Sequence, residues 1–246
     1  MKKSMPLLAL VLGLLGALAQ QAEAASLRIS PIGIDMSAAE RASSMTLVNT
    51  GTDPVNLQLR IFKWSQVNGE EVLVPATDML VSPPAATIPA GVSYTVRIAR
   101  QSVTSVQNEL SYRVFIDELP KPVDPRTLGQ GVSMVLRTSL PVFVVDPKAF
   151  AKLSWKVWQD GSGLHAEATN SGQRHAKIIG LAVQPEGGSP LVFGNGLNGY
   201  VLTGAHKRFD LKMDPKAKPL VPGMVVKLTA HDGSEAIQES LHVENH

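Results

Sequence analysis

Three arginines stand inside runs that otherwise read as strands: Arg97 in SYTVRIAR, Arg113 in LSYRVFIDEL and Arg137 in VSMVLRTSLPVFV. Val, Ile or Thr would occupy such positions at lower cost, because a desolvated guanidinium needs a partner. The same group is suited to a bidentate grip on a carboxylate. Snorkelling at a sheet surface accounts for any one of them. Three together point to paired charges or to an anion-binding role.

Other chemistry finds less support. The six histidines, at 165, 175, 206, 231, 242 and 246, show no metal-ligand spacing and read as loop and strand-end residues, so no metal site is expected. GNGLNG, residues 194–199, matches a phosphate-loop glycine pattern, but YVLTGAHKRF follows it as strand and turn. A Gly/Asn turn is the better reading, and no cofactor or nucleotide is expected. DGSG, residues 160–163, is not a nucleophile elbow; Asp160-Gly161 reads as a hairpin turn. No Ser/His/Asp set is legible in linear order. The absence of cysteine excludes thiol catalysis, thiolate metal sites and disulfides, leaving core burial to hold the chain together.

The elements that must position these residues are strands. Met45–Val48 and Val55–Trp64 alternate on either side of the turn-forming NTGTDP, and Asn68-Gly69 in NGEEVLV is a hairpin signal. SYTVRIAR and LSYRVFIDEL follow. The second half repeats the style, with hairpins around Asp160-Gly161 and Asp232-Gly233. Nothing shows helical periodicity. An all-β chain of two consecutive sandwiches is expected, with a change of texture at VVDPKAFAK. The expected boundaries are 25–146 and 150–246.

Residues 1–24 read as a cleaved secretory signal: Lys2 and Lys3, an apolar run over Pro6–Ala19, then Ala22-Glu23-Ala24. The apolar run is shorter than the roughly 20 residues that span a bilayer. Removing Lys2, Lys3 and Glu23 from 23 basic and 21 acidic residues leaves a net charge of +1. That balance gives no electrostatic case for nucleic acid or an anionic membrane.

The stretch Val132–Val144 is unusual. Its even positions, Val132, Met134, Leu136, Thr138, Leu140, Val142 and Val144, form a nearly unbroken apolar face, yet Pro141 interrupts any hydrogen-bonding ladder. A long apolar edge strand is ordinarily an aggregation hazard.

SMTLVNTG, VNLQLRIFKW, VSPPAATIPAGVSYTVRIAR, SYRVFIDELP and VSMVLRTSLPVFV together resemble the periplasmic pilus chaperones, the PapD-like family of the chaperone–usher pathway. FKW, SYR…DELP and R-x-S-x-P resemble its archaic, Csu-type branch. EATNSGQRHAKI, GYVLTGAHKRF and LTAHDGSE carry a looser match in the second half. The resemblance implies two immunoglobulin-like β-sandwich domains set at an angle, boomerang-like, around a cleft. It implies no enzyme activity and no cofactor. Its partners would be pilus subunits, bound 1:1 in the periplasm, and an outer-membrane usher.

In such a family an edge strand completes the subunit's unfinished sandwich by strand addition. The matching donor residues are Val132, Met134 and Leu136, with Leu140 as an extension. The lysine that usually grips the subunit's terminal carboxylate falls on Pro141 here, and Arg28 stands too early in the first strand. The resemblance therefore turns to Arg113 and Arg137 as the replacement anchor. It also implies a structural salt bridge at the domain junction between Arg97 and Glu118, with Asp232 as a third member. Two other readings stand beside it: an Ig-like structural or adhesive surface protein, and a secreted hydrolase on a β scaffold.

Overall fold

The computed structural model describes residues 27–101, 106–120, 135–214 and 218–245. No helix occurs among them. The first unit begins with β1 (Leu27–Ser30), β2 (Ile34–Ser37), β3 (Ala42–Asn49), β4 (Val55–Val67) and β5 (Glu70–Pro75). It continues with β6 (Met79–Ser82), β7 (Ala85–Ile88), β8 (Ser93–Arg100), β9 (Leu110–Glu118) and β10 (Arg137–Val145). One sheet runs β1-β3-β8-β6 and the other β2-β10-β9-β4-β5, with β7 also on β4. The initial segment therefore changes sheets between β1 and β2.

Alternation builds the core between these sheets. Leu57, Leu59 and Ile61 of β4, Tyr112, Val114 and Ile116 of β9, and Val142 and Val144 of β10 point inward. They meet Met45, Leu47, Met79, Val96 and Ile98 from the opposite sheet. The odd positions of β9 and β10 and the even positions of β4 consequently face outward as one surface. Asn68 and Gly69, both with positive φ, close the β4–β5 hairpin as the Asn-Gly signal predicted.

The second unit contains β11 (Leu153–Asp160), β12 (Gly163–Asn170), β13 (Ala176–Pro185) and β14 (Leu191–Val192). It ends with β15 (Leu197–Val201), β16 (His206–Leu211), β17 (Val225–Asp232) and β18 (Glu235–Glu244). One half runs β11-β12-β16, the other β13-β17-β18 with β14 and β15 on β13. Only two parallel pairs, Val157↔Val243 and Trp158↔Glu244, stitch the halves together. In GNGLNG, Gly194–Gly196 bend into β15 and Leu197–Gly199 already belong to that strand, with no helix after it.

The same device terminates a strand in each unit. Asn49 Nδ2 donates to the carbonyls of Asp53 and Ile88, and its Oδ1 accepts from Gly51 N. Asn170 Nδ2 donates to Arg174 O and Val201 O, while its Oδ1 accepts from Gly172 N and Lys152 N. Both asparagines are fully buried. An Asn-x-Gly sequence after an alternating strand thus closes equivalent corners of two sandwiches.

Candidate functional site: a free strand edge and an arginine at the domain junction

β10 begins later than its apolar pattern suggests. Val135 and Leu136 precede the strand, and Val132 and Met134 lie outside the described residues. On one side β10 pairs with β9 along its length. On the other, β2 pairs only with Val142–Val145, in parallel. Two features stop that pairing at Pro141. Proline has no N–H to offer, and the chain entering β2 crosses there: a Cβ on Gly33 would lie 3.3 Å from Pro141 Cγ. Among the described residues nothing pairs with the outer edge of Arg137–Pro141. Leu136, 40 % exposed, continues the inward-facing positions beyond the core.

Leu140 corrects the sequence reading. It packs inside the first core, opposite Val114, so its side chain is committed to this chain rather than available to another. The apolar face is continuous in sequence, but the opposite sheet covers it from Leu140 onward.

The two anchor candidates share the outward face but do not meet. Arg113 stands opposite Pro141, and Arg137 opposite Asp117. Those rungs stand four positions apart along β9, about 13 Å. Arg137 is 61 % exposed, and its Nε donates to Asp117 Oδ1. Asp117 Oδ2 accepts from Arg60 Nη2 at 2.6 Å. Phe62 and Phe115 pack at 5.0 Å between centroids beneath the two guanidinium groups. Burial pushes the Asp117 carboxyl up, but the hydrogen bonds and charges of Arg137 and Arg60 outweigh it and hold the group below the usual range. Arg137 is thus one arm of a ladder across β4, β9 and β10. Arg113 is differently placed. Its guanidinium lies 3.8 Å over the Trp64 ring centroid and 5.8 Å from that of Tyr200 in the second unit. Its ion pair, to Glu71, spans 3.6 Å. Desolvation lowers its pKa, with Glu71 opposing the shift.

Arg113 owes this setting to the junction. Trp64, Phe143, Tyr200, Leu202 and Ala205 form a cluster drawn from both units. Gln66 extends it: its Nε2 donates to Tyr200 O at 2.8 Å and its Oε1 accepts from Leu202 N at 2.9 Å. Behind the cluster, Glu109 and His175 form a buried pair, with Glu109 Oε2 2.7 Å from His175 Nδ1. Glu109 Oε1 also accepts from His175 N and Ser111 Oγ. The His175 ring stacks on Phe143, centroids 3.6 Å apart.

This pair replaces the expected salt bridge. Arg97 is exposed on β8, turned outward because Val96 and Ile98 face in. Glu118 ends β9 opposite Leu57, on the other sheet. Asp232 belongs to the second unit, where Oδ1 accepts from Lys177 N. No ion pair joins the three among the described residues. Sequence reading missed Glu109 and His175 because nothing in linear order relates positions 66 residues apart. The reading of the histidines as loop and strand-end residues holds for His175, which directly precedes β13, but it did not show that His175 and His165, the latter within β12, are buried.

His165 raises the question of catalysis. Its Nδ1 is 2.6 Å from Asp210 Oδ1 and its Nε2 3.1 Å from Ser162 Oγ. However, Ser162 Oγ donates to Asp160 Oδ1 at 2.6 Å, and that oxygen also lies 3.0 Å from Nε2. The hydroxyl proton is committed to Asp160 and the ring faces a carboxylate on both sides. Ser162 N donates to the same carboxylate, so the arrangement is a braced hairpin turn. Hydrogen bonds from Ser162 and His165 lower the Asp160 pKa.

The family model for pili and flagellar-assembly chaperones, PapD N-terminal domain, matches residues 26–150, just over half of the chain. The chain belongs to that chaperone family. A search of curated proteins returns no match. Among solved structures, this PapD-like chaperone resembles a chain of the CsuC–CsuE chaperone–tip adhesion subunit pre-assembly complex from archaic chaperone-usher Csu pili of Acinetobacter baumannii. That likeness has 24 % identity and a TM-score of 0.64, and covers 89 % of this chain and 99 % of the other. The Salmonella enterica SafA pilin–SafB chaperone complex is similar at 17 % identity and a TM-score of 0.58, covering 89 % and 96 %. The Pseudomonas aeruginosa CupB2 chaperone is similar at 15 % identity and 0.54, covering 89 % and 100 %. At these identities the likeness shows the fold: two Ig-like domains.

Proposed function

We propose that this pilus-assembly chaperone captures subunits by lending the free edge of β10, and that Arg113 grips the subunit's terminal carboxylate. The observation that carries the reading is the edge itself. Arg137–Pro141 offers backbone groups on one side, and Leu136 presents an apolar side chain at its mouth. An added strand would satisfy those groups while its host groove receives the alternate side chains. Val132 and Met134 would extend the same face, each apolar side chain contributing roughly 1.5–3 kcal/mol when buried. Residues 1–24 would direct export to the periplasm and be removed there. The domains would comprise 25–146 and 150–246, and an outer-membrane usher would receive the subunit. Complexes of a chaperone with a subunit, as in CsuC–CsuE and SafA–SafB, support a subunit partner of this kind.

Co-expression with a pilus subunit from the same genome, followed by affinity purification, tests the reading. A 1:1 complex is expected, and Leu136→Asp is expected to lose it while keeping the circular dichroism of the parent. Undiminished recovery with Leu136→Asp would remove the edge from the mechanism.

A further inference from the structure

The carboxylate facing Arg113 is not held as a structural partner would be. Glu71 Oε1 lies 3.6 Å from Arg113 Nη2, beyond hydrogen-bond distance, and the Glu71 side chain is 43 % exposed. It projects from β5, an outermost strand that pairs among the described residues with β4 alone. Arg113, by contrast, is only 16 % exposed, with one face of its guanidinium against Trp64. Asp117 shows what a structural clamp looks like on the same sheet: a carboxylate only 11 % exposed that accepts from Arg60 and Arg137 at hydrogen-bond distance. A desolvated guanidinium needs a counter-charge, and a long contact to an exposed side chain satisfies that need at little cost to break. With its guanidinium carbon 3.8 Å over the Trp64 ring centroid, Arg113 has one side covered by the ring, so a carboxylate must approach it from another.

We propose that Glu71 is the built-in competitor of the carboxylate that Arg113 grips. It occupies the anchor in the free chaperone, and it sets specificity because an incoming ligand must bring its own negative charge to displace it. This rests on the reading of Arg113 as the anchor. A neutral chain end gains nothing by displacing Glu71, since the swap would strip a buried guanidinium of its counter-charge. A lone anion gains only the difference between two carboxylates. An anion attached to a strand that also pairs with β10 adds the pairing energy.

The experiment uses acetate as the probe and acetamide as its neutral counterpart. Each is titrated into the ¹⁵N-labelled mature chain while the Arg113 Nε–Hε resonance is followed, with chloride at matched ionic strength as control. Glu71→Gln is expected to saturate with acetate at a concentration about two- to five-fold lower than the parent, as loss of an exposed ion-pair competitor implies. Neither protein should respond to acetamide. Titration of parent and Glu71→Gln at the same midpoint would overturn the proposal, as would weaker acetate binding by the variant, which would make Glu71 a support of Arg113. The anchor reading is tested separately by subunit capture with Arg113→Gln. Normal capture would remove the anchor, whereas lost capture together with unchanged Glu71→Gln titration would remove only the competitor.

Discussion

Replacing His175 by alanine should cost this chaperone about 4 kcal/mol of stability. The Glu109 side chain is wholly buried, and its carboxylate accepts from His175 Nδ1 at 2.7 Å, His175 N at 3.2 Å and Ser111 Oγ at 3.3 Å. Alanine retains the backbone contact but removes the shortest bond and leaves a buried carboxylate without its partner. Breaking a buried pair from one side costs about 3–5 kcal/mol. Loss of the ring stacked on Phe143 contributes roughly 0.5–1.5 kcal/mol of the total. Because the pair joins the two units, the loss should appear as weakened coupling between their unfolding transitions. Urea unfolding followed by tryptophan fluorescence and circular dichroism reads this, since Trp64 lies 5.6 Å from Tyr200 across the junction. Glu109→Gln added to His175→Ala should recover about 1–2 kcal/mol, because a neutral amide tolerates the site better than a stranded carboxylate. The reasoning is refuted if the double variant is less stable than His175→Ala by the full cost of Glu109→Gln alone. A loss below about 1 kcal/mol for His175→Ala would refute it equally.

Leu140→Asp should unfold the first unit, since it places a charge inside the core, whereas Leu136→Asp should leave thermal unfolding within a few degrees of the parent. Asn49→Ala removes three hydrogen bonds from a fully buried corner and should cost about 3 kcal/mol in urea unfolding. Asp117→Asn should cost roughly 1 kcal/mol at neutral pH, a small figure because Arg60 and Arg137 are both substantially exposed. The folded-state pKa of Asp117 is depressed, so its stabilisation is present above the ordinary carboxylate pKa and is lost as pH falls through the folded value. Stability curves of parent and Asp117→Asn should therefore run parallel at neutral pH and converge below about pH 4. Curves that converge as pH rises would contradict the assigned role.

Period-two alternation in β4, β8 and β9 and the Asn-Gly and Asp-Gly turns are short-range signals. They gave the all-β class and the hairpins at Asn68-Gly69, Asp160 and Asp232 without any tertiary information. They could not show which length of the Val132–Val144 face is covered, because Leu136 and Leu140 carry the same pattern. Coverage is decided by where the opposite sheet ends. Sequence likewise marked Arg97, Arg113 and Arg137 as alike. Alternation turns all three to outward faces, but their neighbours come from other strands: Asp117 and Arg60 for Arg137, Trp64, Tyr200 and Glu71 for Arg113, and no ion-pair partner among the described residues for Arg97.

The amino-acid sequence by itself determined strand identity, turn positions and family membership, all of which depend on residues within about a dozen positions of one another or on motif order. Only the tertiary structure decided the junction and the surroundings of Arg113. Glu109 with His175, Gln66 with Tyr200 and Leu202, and Arg113 with Trp64 are partners separated by tens to more than a hundred residues. Charge pairing and aromatic stacking are set by distance in space, and the sheets alone bring those side chains together.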